Sequence, residues 1–280
     1  MNTGDRLLSV LRLYTPDASE WTVEEAAGKL KVSVSTAYRY FRSFCKIGLL
    51  DPLESGTYVL GPAIVEYDRQ IRATDPMIRA GLGVMQRLVA RSGGSGISLL
   101  CRIYRNCVMC IHQEADPSST IATSYERGRL MPMYRGASSK VIFANLPARV
   151  VRWHFARSAH QIADARLGSS LETVKANLKR IRREGVVVAR GEVDSGRVGI
   201  ASAIMGPKKN VLGSIALVIL QRDATPEAIA NYSALVEAAS REMHVGMNNL
   251  KKVEVFKSLQ PHDHGDSFDP SDQGMGFGKN

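Results

Sequence analysis

Apolar side chains recur at Leu7, Leu8, Leu11 and Tyr14, the spacing of one helix face, and predict a helix over residues 5–14. Pro16 ends it in the loop TPDASE. Thr22-Val23-Glu24-Glu25 fits a capping box, in which a hydroxyl caps the amide three residues on and a glutamate reaches back. The short helix it opens packs through Ala26, Ala27 and Leu30. Ser33 or Ser35 caps the next helix, which runs to about Ile47 with an inward stripe of Val34, Ala37, Phe41 and Phe44. Gly48 stands where a left-handed stop is needed. Two β-prone runs, LLDPL and TYVL, follow around Glu54-Ser55-Gly56 and predict a small hairpin.

The order helix, helix, turn, helix, hairpin is that of a winged helix-turn-helix over residues 1–61. Pro62 opens a linker helix over 62–74. Asp75-Pro76 begins the next helix, with an apolar face of Ile78, Leu82, Met85, Leu88 and Val89. After a Gly/Ser break at 92–96 the texture turns to strands. GISLLCRI and CVMCIHQEA form a hairpin around Tyr104-Arg105-Asn106, and Ile121–Tyr125 is expected as a third strand. Helices are expected at Ser138–Asn145 and Leu171–Arg183, then strands at VVVAR, GIASAIM and VLGSIALVIL, and a last helix from Pro226 to about Met247. Residues 75–249 therefore read as an α+β domain, an antiparallel sheet flanked by helices. The polar, glycine-rich stretch 250–280 reads as a flexible tail.

Composition narrows the function. A chain of 280 residues with 44% hydrophobic side chains suits about two globular domains. It holds no run of about 18 apolar residues, so no membrane partner is expected. The opening MNTGDRLLSV lacks the pattern of a secretory signal, and four cysteines make no disulfide framework, so a reducing cytoplasm is expected. The net charge of +10 is uneven: residues 1–75 hold nine Lys/Arg and ten Asp/Glu, residues 76–280 hold 28 and 17. Within the first part, Lys29, Lys31, Arg39, Arg42 and Lys46 form a run with no acid from Ala26 to Leu50. Arg149–Arg183 is a second basic region, read as a solvated helical face.

On the helix after Ser33, the side opposite the apolar stripe carries Ser35, Thr36, Arg39, Tyr40, Arg42, Ser43 and Lys46. None is acidic, and all can donate to phosphates or reach base edges. Ser35, Thr36, Arg39 and Tyr40 are the candidate DNA readers; Arg39 is the best base reader, because its fork matches guanine O6 and N7. Lys31, Ser33, Arg42 and Lys46 are expected to hold phosphate oxygens.

These residues resemble a known family. VSVSTAYRYFRSFCKIGLL followed by GTYVLGPAIVEY resembles the DNA-binding domain of IclR-type bacterial transcriptional regulators. The shared features are Ser35-Thr36-Ala37-Tyr38-Arg39, Gly48-Leu49 and Tyr58-Val59-Leu60-Gly61. Further on, GRLMPMYRGASSKVIFA and IRREGVVVARGEVDSGRVGIASAIMGPKKNVLGSIALV resemble the family's effector-binding domain, so the likeness covers about residues 5–248. The resemblance implies a homodimer or homotetramer on a palindromic operator in double-stranded DNA, and a GAF-like domain sensing a small molecule. Ser139 replaces the glycine that usually precedes the lysine. Gly199, Ala216 and Val218 stand where relatives that bind small hydroxy- or keto-acids have polar contacts, which implies a roomier, more apolar pocket.

The turn Gly136-Ala137-Ser138-Ser139-Lys140 enters a helix, and small residues at a helix N-terminus expose amides to an anion. An ordinary N-cap and an effector carboxylate fit the turn equally well, with Arg135 as a second anion partner and Leu130, Met131 and Met133 as either an adaptable wall or plain core. The effector expected is a small organic acid, with an aromatic carboxylate from a catabolic pathway as one candidate. No cofactor is expected. Cys107 and Cys110 lie three apart on a strand, on opposite faces, and no second pair offers ligand spacing, so no metal is expected. No nucleophile-elbow context surrounds Ser138 or Ser139, so no catalytic residue is assigned. Two other readings stay open: a sensor whose winged helix binds protein, and a small-molecule enzyme built on the C-terminal domain.

Overall fold

A computed structural model of the protein describes residues 2–94, 96–119 and 121–249, so the expected tail lies outside the described residues. The described chain divides between Thr74 and Asp75 into two compact units. The first contains α1 (Thr3–Ser9), α2 (Val23–Leu30), α3 (Val34–Lys46), a hairpin of β1 (Leu50–Pro52) and β2 (Tyr58–Leu60), and α4 (Ala63–Thr74). The predicted helix over 5–14 begins earlier than expected, capped by Asn2, and finishes as a 3-10 turn at Val10–Arg12. At α2 the capping box closes: Glu25 N donates to Thr22 Oγ1 at 3.2 Å, and Thr22 N donates to Glu25 Oε2 at 3.0 Å. Ser33, not Ser35, caps α3. Gly48 takes φ +71 after it, and Gly61 lies so close that a Cβ there would sit 2.3 Å from the Gly48 carbonyl oxygen.

The core of this unit contains Val10, Tyr14, Ala26, Ala37, Phe41 and Phe44, with Phe41 meeting the Tyr58 ring edge-on at 4.9 Å. Its inward stripe differs from the predicted one. Tyr40, expected on the outer polar face, is 6% exposed, while Val34, expected inside, is 48% exposed. Val34 opens the first turn and projects past the core, whereas Tyr40 lies one residue before Phe41 and three after Ala37, on the same arc of the helix. A phenol can sit there because its body is apolar.

The second unit orders α5 (Pro76–Arg91), β3 (Gly96–Tyr104), β4 (Cys107–Ala115), β5 (Leu130–Pro132), α6 (Ala137–Ala144), α7 (Ala148–Asp164), α8 (Leu171–Glu184), β6 (Val186–Arg190), β7 (Arg197–Met205), β8 (Val211–Leu220) and α9 (Pro226–Asn249). Six antiparallel strands form one sheet in the order β5-β4-β3-β8-β7-β6. Side chains alternate between its faces. Leu100, Ile215, Leu217 and Ile219 join Met85, Leu88 and Met243 of α5 and α9 in one core. Their alternate neighbours, Leu99, Ala216 and Val218, share a cavity wall with the start of α6. With both faces covered, β8 is buried along nearly its whole length, which explains the continuous apolar run VLGSIALVIL. Asp75 caps α5 through Met77 N and Ile78 N and pairs with Arg102 of β3 at 2.8 Å.

Three expectations for this unit need correction. Residues 121–125 form no strand: Asp194 accepts hydrogen bonds from Thr123 Oγ1 (2.9 Å) and Ser124 N (2.8 Å), so a side-chain carboxylate replaces a ladder partner. The strand next to β4 is instead Leu130–Pro132. On α5, Leu82 is exposed, and Gly81 and Val84 are buried in its place. The sequence reading also assigned no helix to α7, whose apolar spacing is interrupted by arginines and by a kink at Ser158.

His154 of α7 is buried against Phe143 (ring centroids 5.5 Å apart), and its Nε2 has no hydrogen-bond partner among the described residues. Burial, aided by the Arg157 charge, lowers its pKa from 6.5 to about 4. The unfolded ring therefore takes up a proton at higher pH than the folded one, and stability falls as pH drops from 6.5 towards 4. His154 should make this unit about 2 kcal/mol less stable at pH 5 than at pH 7, and His154→Phe should remove that increment, as read from urea midpoints at the two pH values. Tyr40→Ala should lower the stability of the first unit by about 3 kcal/mol, measured by chemical unfolding followed through fluorescence.

Candidate functional site

In the first unit, α3 separates its two sides cleanly. Ala37, Tyr40, Phe41 and Phe44 face the core, and Ser35, Arg39, Arg42, Ser43 and Lys46 are exposed. Among the described residues, Arg39, Arg42, Lys46 and Lys31 have no acidic partner, so their charge is free for an outside anion. Two of the predicted contacts are partly engaged within the helix. Ser33 Oγ accepts from Thr36 N at 3.2 Å and lies 2.8 Å from Thr36 Oγ1, which fixes the start of the helix. Lys31, at φ +55, terminates α2 in the left-handed conformation and begins the turn between the two helices. Tyr40 leaves the candidate set because its side chain is in the core.

In the second unit, a cavity of about 40 Å³ lies between the sheet and the N-terminus of α6. Of the ten residues expected at an effector site, Ala137, Ser138, Gly199, Ala216 and Val218 line it. Leu130, Met131, Met133, Arg135 and Ser139 are not among its walls. Met131 and Met133 are fully buried core, Ser139 lies 3.0 Å from the Tyr125 hydroxyl, and Arg135 donates from Nε to the Glu192 carbonyl. Burial pushes the Tyr125 phenol well above its usual pKa, so it stays neutral beside the cavity.

The residues missed from sequence are Glu192, Asp194, Arg197, Thr123 and Tyr125. Glu192 organises the cavity. Its Oε2 accepts from Gly136 N at 3.0 Å and its Oε1 from Lys140 Nζ at 2.5 Å, while Lys140 Nζ also donates to the Ala165 carbonyl at 2.7 Å. A carboxylate of the chain thus occupies part of the electropositive helix start. The next two residues, Ala137 and Ser138, carry first-turn amides with no intrahelical acceptor, and they line the cavity. Gly136 has φ +80, and a Cβ there would meet Val193 at 2.9 Å. That close packing explains why the cavity is small, against the roomier pocket expected from Gly199, Ala216 and Val218. Deleting side chains from the sheet floor creates space only where the roof does not settle into it, and Val193 closes down on Gly136. The one local signal for Glu192 and Asp194 was an acidic pair beside Gly191; nothing local indicates what they bind.

Comparison with known proteins agrees with this architecture. The sequence model described as "Bacterial transcriptional regulator IclR C-terminal" matches residues 74–245, more than half of the chain. No curated protein matches. Among solved structures, an IclR homologue from Microbacterium hydrocarbonoxydans in complex with 4-hydroxybenzoate superposes with a TM-score of 0.70 at 16% identity, covering 89% of this chain and 100% of that one. An IclR transcriptional regulator from Alicyclobacillus acidocaldarius gives 0.70 at 18% identity, covering 88% and 98%. The Thermotoga maritima IclR gives 0.66 at 19% identity, covering 88% and 99%. At such identities the likeness is one of fold. Among the described residues no helix is long and apolar enough to cross a membrane. With more than half its length matched by the family's C-terminal domain, the chain belongs to the IclR family of bacterial transcriptional regulators.

Proposed function

We propose that the protein is a ligand-responsive, sequence-specific DNA-binding regulator that acts as a homodimer or dimer of dimers on a palindromic operator. It would control a catabolic operon in answer to a small organic acid, an aromatic carboxylate being the class in view. The observation that carries the DNA reading is the exposed side of α3: cationic, free of acids, and backed by a buried aromatic stripe that holds it rigid. Arg39 reads a guanine edge, Ser35 and Thr36 approach neighbouring bases, and Lys31, Ser33, Arg42 and Lys46 set the register on phosphates. Association of two copies is supported by α4, where Ile64, Tyr67 and Ile71, at steps of three and four, are exposed along one stripe. A dimer presents two such α3 helices to two half-sites.

The effector reading rests on the cavity over Ala137 and Ser138. The relative bound to 4-hydroxybenzoate supports an aromatic acid in this fold. A cavity of about 40 Å³ holds a water or two, whereas ligand pockets span about 300–1,000 Å³. An effector of that size enters only if the segment carrying Glu192 and Val193 moves off Gly136. Binding then selects an opened arrangement of the loop, and this differential affinity is what a ligand needs to shift a regulator between states.

Arg39→Ala should cost about 1–3 kcal/mol of operator affinity and relax preference at one base pair, measured by footprinting across single-base operator variants. Wild-type affinity should fall steeply with salt in gel shifts; a flat salt response would instead favour the protein-binding alternative. In the second domain, 4-hydroxybenzoate should raise the melting temperature of the wild type and not that of Gly199→Val, whose new side chain fills the cavity from β7. Equal shifts in both would place the ligand elsewhere.

A further inference from the structure

The second domain holds another concavity, of about 530 Å³, that shares no wall with the effector cavity. Its rim is basic. Lys175 and Arg182, seven residues apart on one face of α8, face Lys208 and Lys209 at the tip of the β7–β8 turn, and no acidic residue lines it. Among the described residues, none of these four cations makes an ion pair; the nearby Glu184 is taken by Arg180. The floor is apolar, with Ile103, Val151 and Leu178.

Two further features point to a ligand. Pro147 and Ala148, at the uncapped N-terminus of the seventeen-residue α7, lie in the wall. Lys209 holds φ +57, a left-handed position that a glycine would occupy without strain, so the turn carries a cation where a neutral residue is the easier choice. Four like charges gathered around one depression repel each other until a polyanion neutralises them.

We propose that this groove binds a small polyanion bearing several phosphates on an apolar body, the nucleoside triphosphate class, at a site separate from the effector cavity. Clustered lysines suit phosphate as point charges, Arg182 adds a forked donor, and the apolar floor accepts the base. The basic region from Arg149 to Arg183 is then more than a solvated face, since two of its charges converge on a shaped cavity.

Isothermal titration calorimetry of the full chain tests this, with ATP and inorganic triphosphate as probes and no divalent cation present. ATP should bind, triphosphate should bind more weakly, and both affinities should fall with salt. The double variant Arg182→Glu/Lys209→Glu should weaken both at least tenfold while its circular dichroism and melting profile match the wild type; both side chains are exposed. Arg39→Ala/Arg42→Ala, which discharges α3, should leave ATP affinity unchanged. Absence of heat with both probes, unchanged ATP affinity in the groove variant, or loss of binding in the α3 variant instead would overturn the proposal. Triphosphate binding that excludes ATP would mark a free-phosphate site and overturn the nucleotide class. Operator binding and the response to 4-hydroxybenzoate are read in separate assays, so failure here leaves the regulator reading standing.

Discussion

A buried ion pair, Lys140 with Glu192 at 2.5 Å, ties the start of α6 to the loop between β6 and β7, and the sensing domain is arranged around it. Lys140 is 6% exposed, and a buried ammonium is costly unless paired and hydrogen-bonded. Glu192 and the Ala165 carbonyl meet that need. The second oxygen of Glu192 takes the Gly136 amide, so the same carboxylate that neutralises the lysine also caps the helix. The loop is thereby drawn over the sheet, Val193 against Gly136, and Asp194 continues the work by holding residues 123 and 124. One electrostatic requirement thus closes the cavity and explains why a nominal strand became a side-chain-anchored segment.

That arrangement has a consequence for sensing. Under the proposed function, a carboxylate ligand approaching Ala137 and Ser138 would arrive beside Glu192, which already engages the helix N-terminus. Repulsion between two anions there and the steric closure by Val193 would act in the same direction, against entry while the loop stays down. A protein that must convert occupancy into a change of shape benefits from a site that is closed when empty. The basic groove near α8 has the opposite character: among the described residues its cations make no ion pair and no acid lines it.

The first unit obeys a simpler rule. Its helix α3 buries aromatic rings on one side and leaves charge on the other, so the packing that stabilises the unit also orients the exposed cations. Rigidity is what the proposed base contacts require, because such side chains must be held in place by the core behind them. Tyr40 belongs to that support and not to the exposed cationic face.

The amino-acid sequence alone determined much of what depends on neighbours within a turn or a strand pair. The Thr22–Glu25 box, a serine cap at Ser33 or Ser35, the glycine stop at Gly48, the β3–β4 hairpin and the acid-free run from Ala26 to Leu50 are local features of the chain. Those signals were enough to predict a winged helix-turn-helix followed by an α+β domain; the small residues at 136–139 marked Ala137 and Ser138 together with Ser139, which does not line the cavity. Tertiary structure decided the rest. Lys140 and Glu192 are 52 residues apart, and Thr123 and Asp194 are 71 apart, so no spacing rule marks them as partners. Whether Tyr40 or Val34 turned inward depended on where the core lay relative to the first turn of α3. The size of the cavity over Ala137 and Ser138 and the meeting of Lys175 and Arg182 with Lys208 and Lys209 are likewise properties of packed surfaces, which exist only once distant segments have been brought into contact.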